Sequence, residues 1–116
     1  MAVSLLTNTS ITPTVAVNAQ TGTSYTPVLG DGNNTLVTLS NASAITLTIP
    51  PNSSVAYPVG TSIDILQTST GQVTIAAGSG VTVNATPGLK LRAQWSSAVL
   101  IQRSANTWVL IGDLSA

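Results

Sequence analysis

The chain has 116 residues, enough for one small domain with an arm. Only 5% of its residues are charged, against roughly 25% in ordinary soluble domains. Three basic and three acidic side chains balance to a net charge of zero, which excludes the basic field that nucleic-acid binding requires. The chain contains no cysteine, so disulfides and thiolate metal sites are excluded. Because a free monomer with so little charge is poorly protected against association, we expect the protein to pack into a larger assembly.

The N-terminal segment, residues 1–23, differs in composition from the rest of the chain. It is rich in Thr, Asn and Ser, contains Pro13, and alternates only weakly at Val15 and Val17. Two readings are open: an extended arm or edge strand that needs a partner, and a flexible tail. We predict an arm over residues 1–23 and a β-domain over residues 24–116, with Val15 and Val17 as candidate partner contacts.

The N-terminal segment lacks the features of a signal peptide. No apolar run in the sequence approaches the ~20 residues of a membrane span. We therefore expect synthesis in a cytoplasm and no membrane partner.

A β-hairpin is expected next along the chain. A first strand is predicted over residues 25–29, and residues 30–34 (GDGNN) form a strong turn signal because Gly and Asn tolerate positive φ. The chain is then expected to return as a strand over residues 35–39, with Val37 and Leu39 on its apolar side.

The rest of the chain alternates with a period of two, which is typical of half-buried strands. Ile45, Leu47 and Ile49, for example, alternate with threonines, and clusters of Pro, Gly, Asn and Ser separate such runs. No helix is predicted. The sequence therefore predicts an all-β fold, a small antiparallel β-sandwich or barrel with an extended N-terminal arm. We expect its further strands at residues 44–49, 62–67, 72–77, 81–85, 89–95, 98–102 and 107–111.

The last two expected strands are apolar on both faces, whereas one face of an antiparallel sheet is usually hydrated. The residues concerned include a candidate subunit interface of Val99, Ile101, Val109 and Ile111. Two covers are possible for the second face. A neighbouring subunit is one, and the interior of the chain's own sandwich is the other.

The inventory of catalytic side chains is small, since the chain has no His, Cys or Glu. Asp31 is expected to bond the backbone of a turn, Asp113 to pair with Arg103 or the backbone, and Asp64 to make a salt bridge or another polar contact. We therefore predict that the protein is not an enzyme and has no catalytic residue, no cofactor and no metal site.

A polar and an aromatic set are the remaining candidates for binding. Lys90, Arg92 and Gln94 alternate on one face of the strand expected at residues 89–95, which is either a solvated face or a contact for an acidic partner. Trp95 lies on the opposite face of that strand. Trp95 and Trp108 are expected in the core or an interface, and an exposed ring would instead favour sugar binding.

Three segments carry a resemblance. Residues 49–61 read IPPNSSVAYPVGT, residues 71–83 read GQVTIAAGSGVTV, and residues 106–114 read NTWVLIGDL. Together they resemble a β-module that recurs in tailed-bacteriophage virion structural proteins, including head decoration proteins, tail fibres and minor tail proteins. The resemblance covers residue 44 to the C-terminus and brings no catalytic residue with it.

The resemblance implies a virion structural protein. Because the module makes up nearly the whole chain, a capsid decoration (cement) protein is expected, which binds the outer surface of the head and stabilises the shell. Its expected partners are further copies of itself, as a homotrimer, and the major capsid protein. The alternative is a tail-fibre or head-fibre module that binds host-surface glycans through an exposed Trp or Tyr.

Overall fold

A computed structural model describes residues 14–116, whose regular secondary structure is almost entirely β-strand. The one helical element within residues 14–116 is a short 3-10 turn at Leu29–Gly32. The described strands are β1 (Ala16–Gln20), β2 (Ser24–Tyr25), β3 (Thr35–Leu39), β4 (Ile45–Ile49), β5 (Ser62–Gln67), β6 (Val73–Ala77), β7 (Thr82–Ala85), β8 (Lys90–Leu91), β9 (Ser97–Ser104), β10 (Thr107–Gly112) and β11 (Leu114–Ser115).

The strands form two sheets that pack face to face. The six-stranded sheet has the order β1-β3-β5-β9-β10-β7, and the five-stranded sheet has the order β11-β8-β6-β4-β2. The all-β class and the two-layer sandwich expected from the sequence are confirmed. Both sheets are mixed, however, rather than purely antiparallel.

The mixed pairing accompanies a chain path that changes sheet after each of the first eight described strands. β1, β3 and β5 are parallel neighbours in one sheet, while β2, β4 and β6 are parallel neighbours in the other. Parallel neighbours need a crossover connection, and here each crossover passes through a strand of the opposite layer. Such a crossing does not always give a parallel pair, since β6 and β8 pair antiparallel. Only the C-terminal part contains long antiparallel pairs, β5 with β9 and β9 with β10.

The hairpin expected over residues 25–39 is therefore wrong. Its two strands lie in different sheets, and the turn at Leu29–Gly32 carries the chain from one to the other. The backbone N–H of Val28 donates a hydrogen bond of 3.0 Å to the Asp31 carboxylate. Because of this bond the segment wraps around the Asp31 side chain and does not form the tight turn of a β-hairpin.

The strand expected at residues 89–95 is much shorter than predicted, since β8 ends at Leu91. The hairpin of β9 and β10 is confirmed, and its turn contains Asn106 in the left-handed region at φ 59°. The strands expected near residues 44–49, 62–67, 72–77 and 81–85 are present with ends that differ by at most one residue.

The core lies between the two sheets and is formed by the inward positions of the alternating strands. Trp108 is its largest member, with 1% of its surface exposed, and packs edge-to-face on Tyr57 with ring centroids 5.4 Å apart. Each large apolar side chain removed from water stabilises the fold by about 1.5–3 kcal/mol. The other large buried apolar side chains include Leu39, Ile45, Leu47, Ile49, Ile63, Ile65, Ile75, Leu91, Leu100 and Leu110.

The expected N-terminal arm is only partly within the described residues. Ala16–Gln20 form the edge strand β1, which pairs in parallel with β3. This outcome matches the edge-strand reading of the segment. Residues 1–13 of the arm lie outside the described residues.

Candidate contact surface

The six-stranded sheet has an apolar face that points away from the core. Strand register places one residue from each of five strands in a row across this face, namely Val17, Leu36, Asp64, Val99 and Ile111. We call these five residues the outer row. Two neighbouring positions, Ile101 and Val109, are paired with each other beside it.

The outer row is exposed at both ends. Val17 exposes 64% and Ile111 54% of their surface, whereas Val99 is half-buried. Single exposed apolar residues are common, but a contiguous set on one sheet face marks a contact surface. A shallow groove of about 540 Å³ runs along this set and includes Val15 and Ser97 in its lining.

The structure thus joins two sites that the sequence treated as separate. The candidate partner contacts, Val17 on β1 and Val15 just before it, lie on the same groove as Val99 and Ile111 of the candidate subunit interface. Ile101 and Val109, the other two interface candidates, lie on the same side and are half-buried. Among residues 14–116, the sandwich core lies on the other side of this sheet, and Ile111 exposes 54% of its surface.

The corresponding face of the five-stranded sheet is polar. Its cross-strand row consists of Ser24, Thr46, Thr74 and Lys90. We call these four residues the threonine row. Hydroxyl and ammonium groups remain hydrated at low cost, so this face needs no cover.

Asp64 is the only charge in the outer row. Its neighbours across the sheet are Leu36 and Val99, which offer no partner for a carboxylate. Among residues 14–116 the only salt bridge is Arg92–Asp113, so the salt bridge expected for Asp64 is not formed. Arg103, which is exposed near the end of β9, makes none either.

A second exposed feature is the loop that follows β8. Arg92 binds Asp113 through two hydrogen bonds of 2.8 and 2.9 Å, and the Ser96 hydroxyl donates to the same carboxylate at 2.7 Å. These donors, Arg92 first, hold the pKa of Asp113 below its usual range. The pairing of Asp113 with Arg103 expected from the sequence is wrong, because the Arg92 backbone N–H donates to the Asp113 carbonyl at 3.0 Å and places those two residues side by side.

The loop displays Trp95 at the surface instead of burying it. The indole is 66% exposed, and its backbone has φ 72°, which is unusual for a bulky residue. The backbone N–H of Trp95 donates to the Gln67 carbonyl at 2.7 Å and holds this conformation. The expected strand face of Lys90, Arg92 and Gln94 is consequently broken, because the chain leaves the strand direction after Leu91.

A buried polar cluster lies near β1. Asp31 is only 2% exposed, and it accepts hydrogen bonds from the Tyr25 hydroxyl, from the Asn18 amide at 2.8 Å and from the Val28 backbone. Burial, followed by the contact with Asp31, raises the pKa of Tyr25 to about 12. The backbone bond of Asp31 was expected, but its burial was not. Because both of its oxygens accept hydrogen bonds within the chain, we assign the cluster a structural role that ties β1 to the 3-10 turn.

Neither a protein-family model nor a curated protein matches the chain. Residues 14–116 contain no group of three or more His, Cys, Asp or Glu side chains that could hold a metal ion. No helix within the same residues is long and apolar enough to cross a membrane. The exposed surfaces described above therefore carry the functional argument.

Proposed function

We propose that the chain is a bacteriophage virion structural protein, a decoration (cement) protein that binds the outside of the head and stabilises the capsid shell. The single observation that carries this proposal is the edge of β1, which no strand among residues 14–116 covers. That strand (AVNAQ) contains no charged residue and no proline, the usual devices by which proteins block an exposed sheet edge. An open edge of this kind accepts a further strand from a partner.

The hydrogen bonds of β1 identify which of its backbone groups point away from the rest of residues 14–116. The Ala16 N–H and the Gln20 carbonyl both bond towards the β3 side, at 3.1 and 2.9 Å. Because strand residues alternate in direction, the backbone groups of Val17 and Ala19 point to the open edge. Their partner is, on this proposal, the backbone of the major capsid protein.

The three polar candidates, Lys90, Arg92 and Gln94, differ in what each can contribute to binding of the shell. Arg92 is already engaged by Asp113, so it offers little to an acidic partner. Lys90 is exposed and makes no salt bridge with residues 14–116, and it is the cation we assign to an acidic patch on the shell. Gln94 donates its amide to the Thr68 carbonyl at 3.2 Å, which leaves its oxygen for a partner.

Stabilisation of the shell follows by mass action. A ligand that binds the assembled shell but not its dissociated subunits shifts the equilibrium towards the shell. Each contact is modest, but many copies act on one closed lattice. The protein would then be located on the outer capsid surface after synthesis in the host cytoplasm.

The test uses particles that carry Ala19→Pro, with Ala19→Ser as the matched control. Proline removes the free N–H at the open edge, where sheets tolerate it, and serine keeps that N–H. We expect normal folding of both variants, loss of Ala19→Pro from purified particles, and genome release at lower temperature with unchanged adsorption to host cells. Full occupancy of Ala19→Pro, or an adsorption defect without a stability defect, would contradict the proposal.

A second candidate function is glycan binding, and Trp95 is the observation that favours it. An exposed indole provides a platform on which a sugar ring can stack. The burial of Trp108, in contrast, is typical of a structural core. If this function holds, Trp95→Ala particles lose adsorption to host cells while their heat resistance is unchanged.

A further inference from the structure

The outer face of the six-stranded sheet carries one negative and one positive charge, and the arrangement is self-complementary. Asp64 is the register partner of Val99 on β9. Arg103 follows Val99 by four residues, about 13 Å further along the strand. The apolar pair of Ile101 and Val109 lies between these charges.

The orientation of Arg103 follows from the strand. Ala98, Leu100 and Gln102 are buried and point inward, so Val99 and Ile101 point outward. The register between β9 and β10 shifts between Gln102 and Ser104. At such a bulge two residues of one strand oppose a single residue of its partner strand. Here that single residue is Thr107, which points outward because its neighbour Trp108 points inward. Arg103 therefore belongs to the outer face.

We infer that the outer face pairs with the same face of a second copy, about a two-fold axis that lies between the two faces. A half-turn about an axis midway between Asp64 and Arg103 exchanges their positions. Asp64 of each copy then meets Arg103 of the other, and the apolar residues between them meet their own counterparts. Such an interface is isologous, so the contact between Asp64 and Arg103 occurs twice in the dimer.

The size of the face agrees with a pair of moderate affinity. Five strands with about 20 Å of length each give a face of roughly 500 Å² per copy. The total of roughly 1,000 Å² reaches the lower limit of specific interfaces, so we expect a dissociation constant in the micromolar range. The inference replaces the trimer expected from the sequence, and it does not depend on the virion proposal.

The experiment is sedimentation velocity of the full chain across a concentration series, with two charge reversals. Asp64→Arg faces Arg103 of its partner and Arg103→Asp faces Asp64, so each variant alone should dimerise at least tenfold more weakly than the wild type. An equimolar mixture of the two variants should form one-to-one heterodimers with near wild-type affinity, because every pair is again opposite in charge. Thr74→Asp in the threonine row is the matched control and should leave dimerisation unchanged.

Each other outcome overturns the inference. A wild-type chain that stays monomeric to millimolar concentration, or that forms trimers, has no two-fold pair. Dimers that ignore both reversals, or a mixture that fails to recover, exclude the contact between Asp64 and Arg103. Both residues are exposed, so the variants should fold, and circular dichroism with the urea midpoint verifies this for each one.

Discussion

The outer row and the threonine row occupy equivalent places on the two sheets, yet their chemistry is opposite. Both cross their sheet through directly paired residues and both point away from the core. One row presents Val17, Val99 and Ile111, and the other presents Thr46 and Thr74. The difference teaches that period-two alternation predicts which residues point away from the core but not whether solvent or a partner covers them. Residue chemistry on the outward positions supplies that information, and here it singles out the six-stranded sheet.

The largest expected effect is the difference in unfolding free energy between substitutions on the inner and outer faces of a single strand. Leu100 is fully buried on the inner face of β9, so Leu100→Ala should lower the free energy of unfolding by about 2–5 kcal/mol through lost burial and a cavity. Ile101→Ala on the outer face of the same strand should cost about 1 kcal/mol or less in dilute solution, where no partner covers it. Urea unfolding at low protein concentration measures both. Equal losses would show that the chain itself covers the outer face.

The second-largest loss of stability is expected for a substitution of the buried carboxylate, Asp31. Asp31→Asn keeps the size of the side chain but turns an amide towards groups that already donate, such as Asn18 and the Val28 N–H. We expect a loss of about 1–3 kcal/mol in unfolding free energy. Asp64→Asn in the outer row is the matched control, and it should change the stability of the monomer by less than about 0.5 kcal/mol. The reverse order would mean that the exposed carboxylate, not the buried one, supports the fold.

Alkaline pH should weaken the same cluster. The pKa of Tyr25 is raised to about 12 in the folded protein, chiefly by burial and then by Asp31, and burial also raises the pKa of Tyr57. The folded state therefore holds protons that the unfolded state releases above its tyrosine pKa of about 10. The stabilisation is complete below about pH 10 and is lost as the pH rises through about 12.

Urea midpoints measured from pH 9 to 12 check this prediction. Tyr25→Phe should flatten the decline without abolishing it, because Tyr57 still contributes. A wild-type midpoint that is constant over this range, or a decline that Tyr25→Phe leaves unaltered, would show that the hydroxyl of Tyr25 is not held as described.

The smallest expected effect concerns the exposed indole. Trp95 has φ 72°, a conformation that costs side-chain-bearing residues more than glycine. Trp95→Gly should therefore be more stable than Trp95→Ala by about 0.5–1 kcal/mol. At Thr46, an extended strand position, the same pair of substitutions should rank in the opposite order. The same order at both sites would indicate that the loop relaxes out of its left-handed conformation.

The sequence predicted much of the fold because local alternation determines which side of a strand is apolar. Ile45, Leu47 and Ile49 are buried and their intervening threonines are not. The direction of pairing was not predictable, since parallel neighbours such as β4 and β6 result from crossings that leave no local pattern.

The candidate site was predicted in part. The interface residues on β9 and β10 were identified from their doubly apolar pattern, but their union with Val15 and Val17 depends on the register of five strands. The exposure of Trp95 was missed because the pair of Arg92 and Asp113 joins segments 21 residues apart. The sequence showed only that a charged residue lies in each of these segments. That observation was equally compatible with a pair of Asp113 and Arg103.

The central claim, that a second copy covers the outer face, is tested most directly by thiol labelling. Because the chain has no cysteine, Ile111→Cys and Thr46→Cys each provide a single probe, one in the outer row and one in the threonine row. The labelling rate is measured with a maleimide dye at nanomolar and at high micromolar protein concentration. We predict that Ile111→Cys reacts several-fold more slowly at the higher concentration while Thr46→Cys reacts at the same rate at both. Equal rates for Ile111→Cys at the two concentrations would contradict the account.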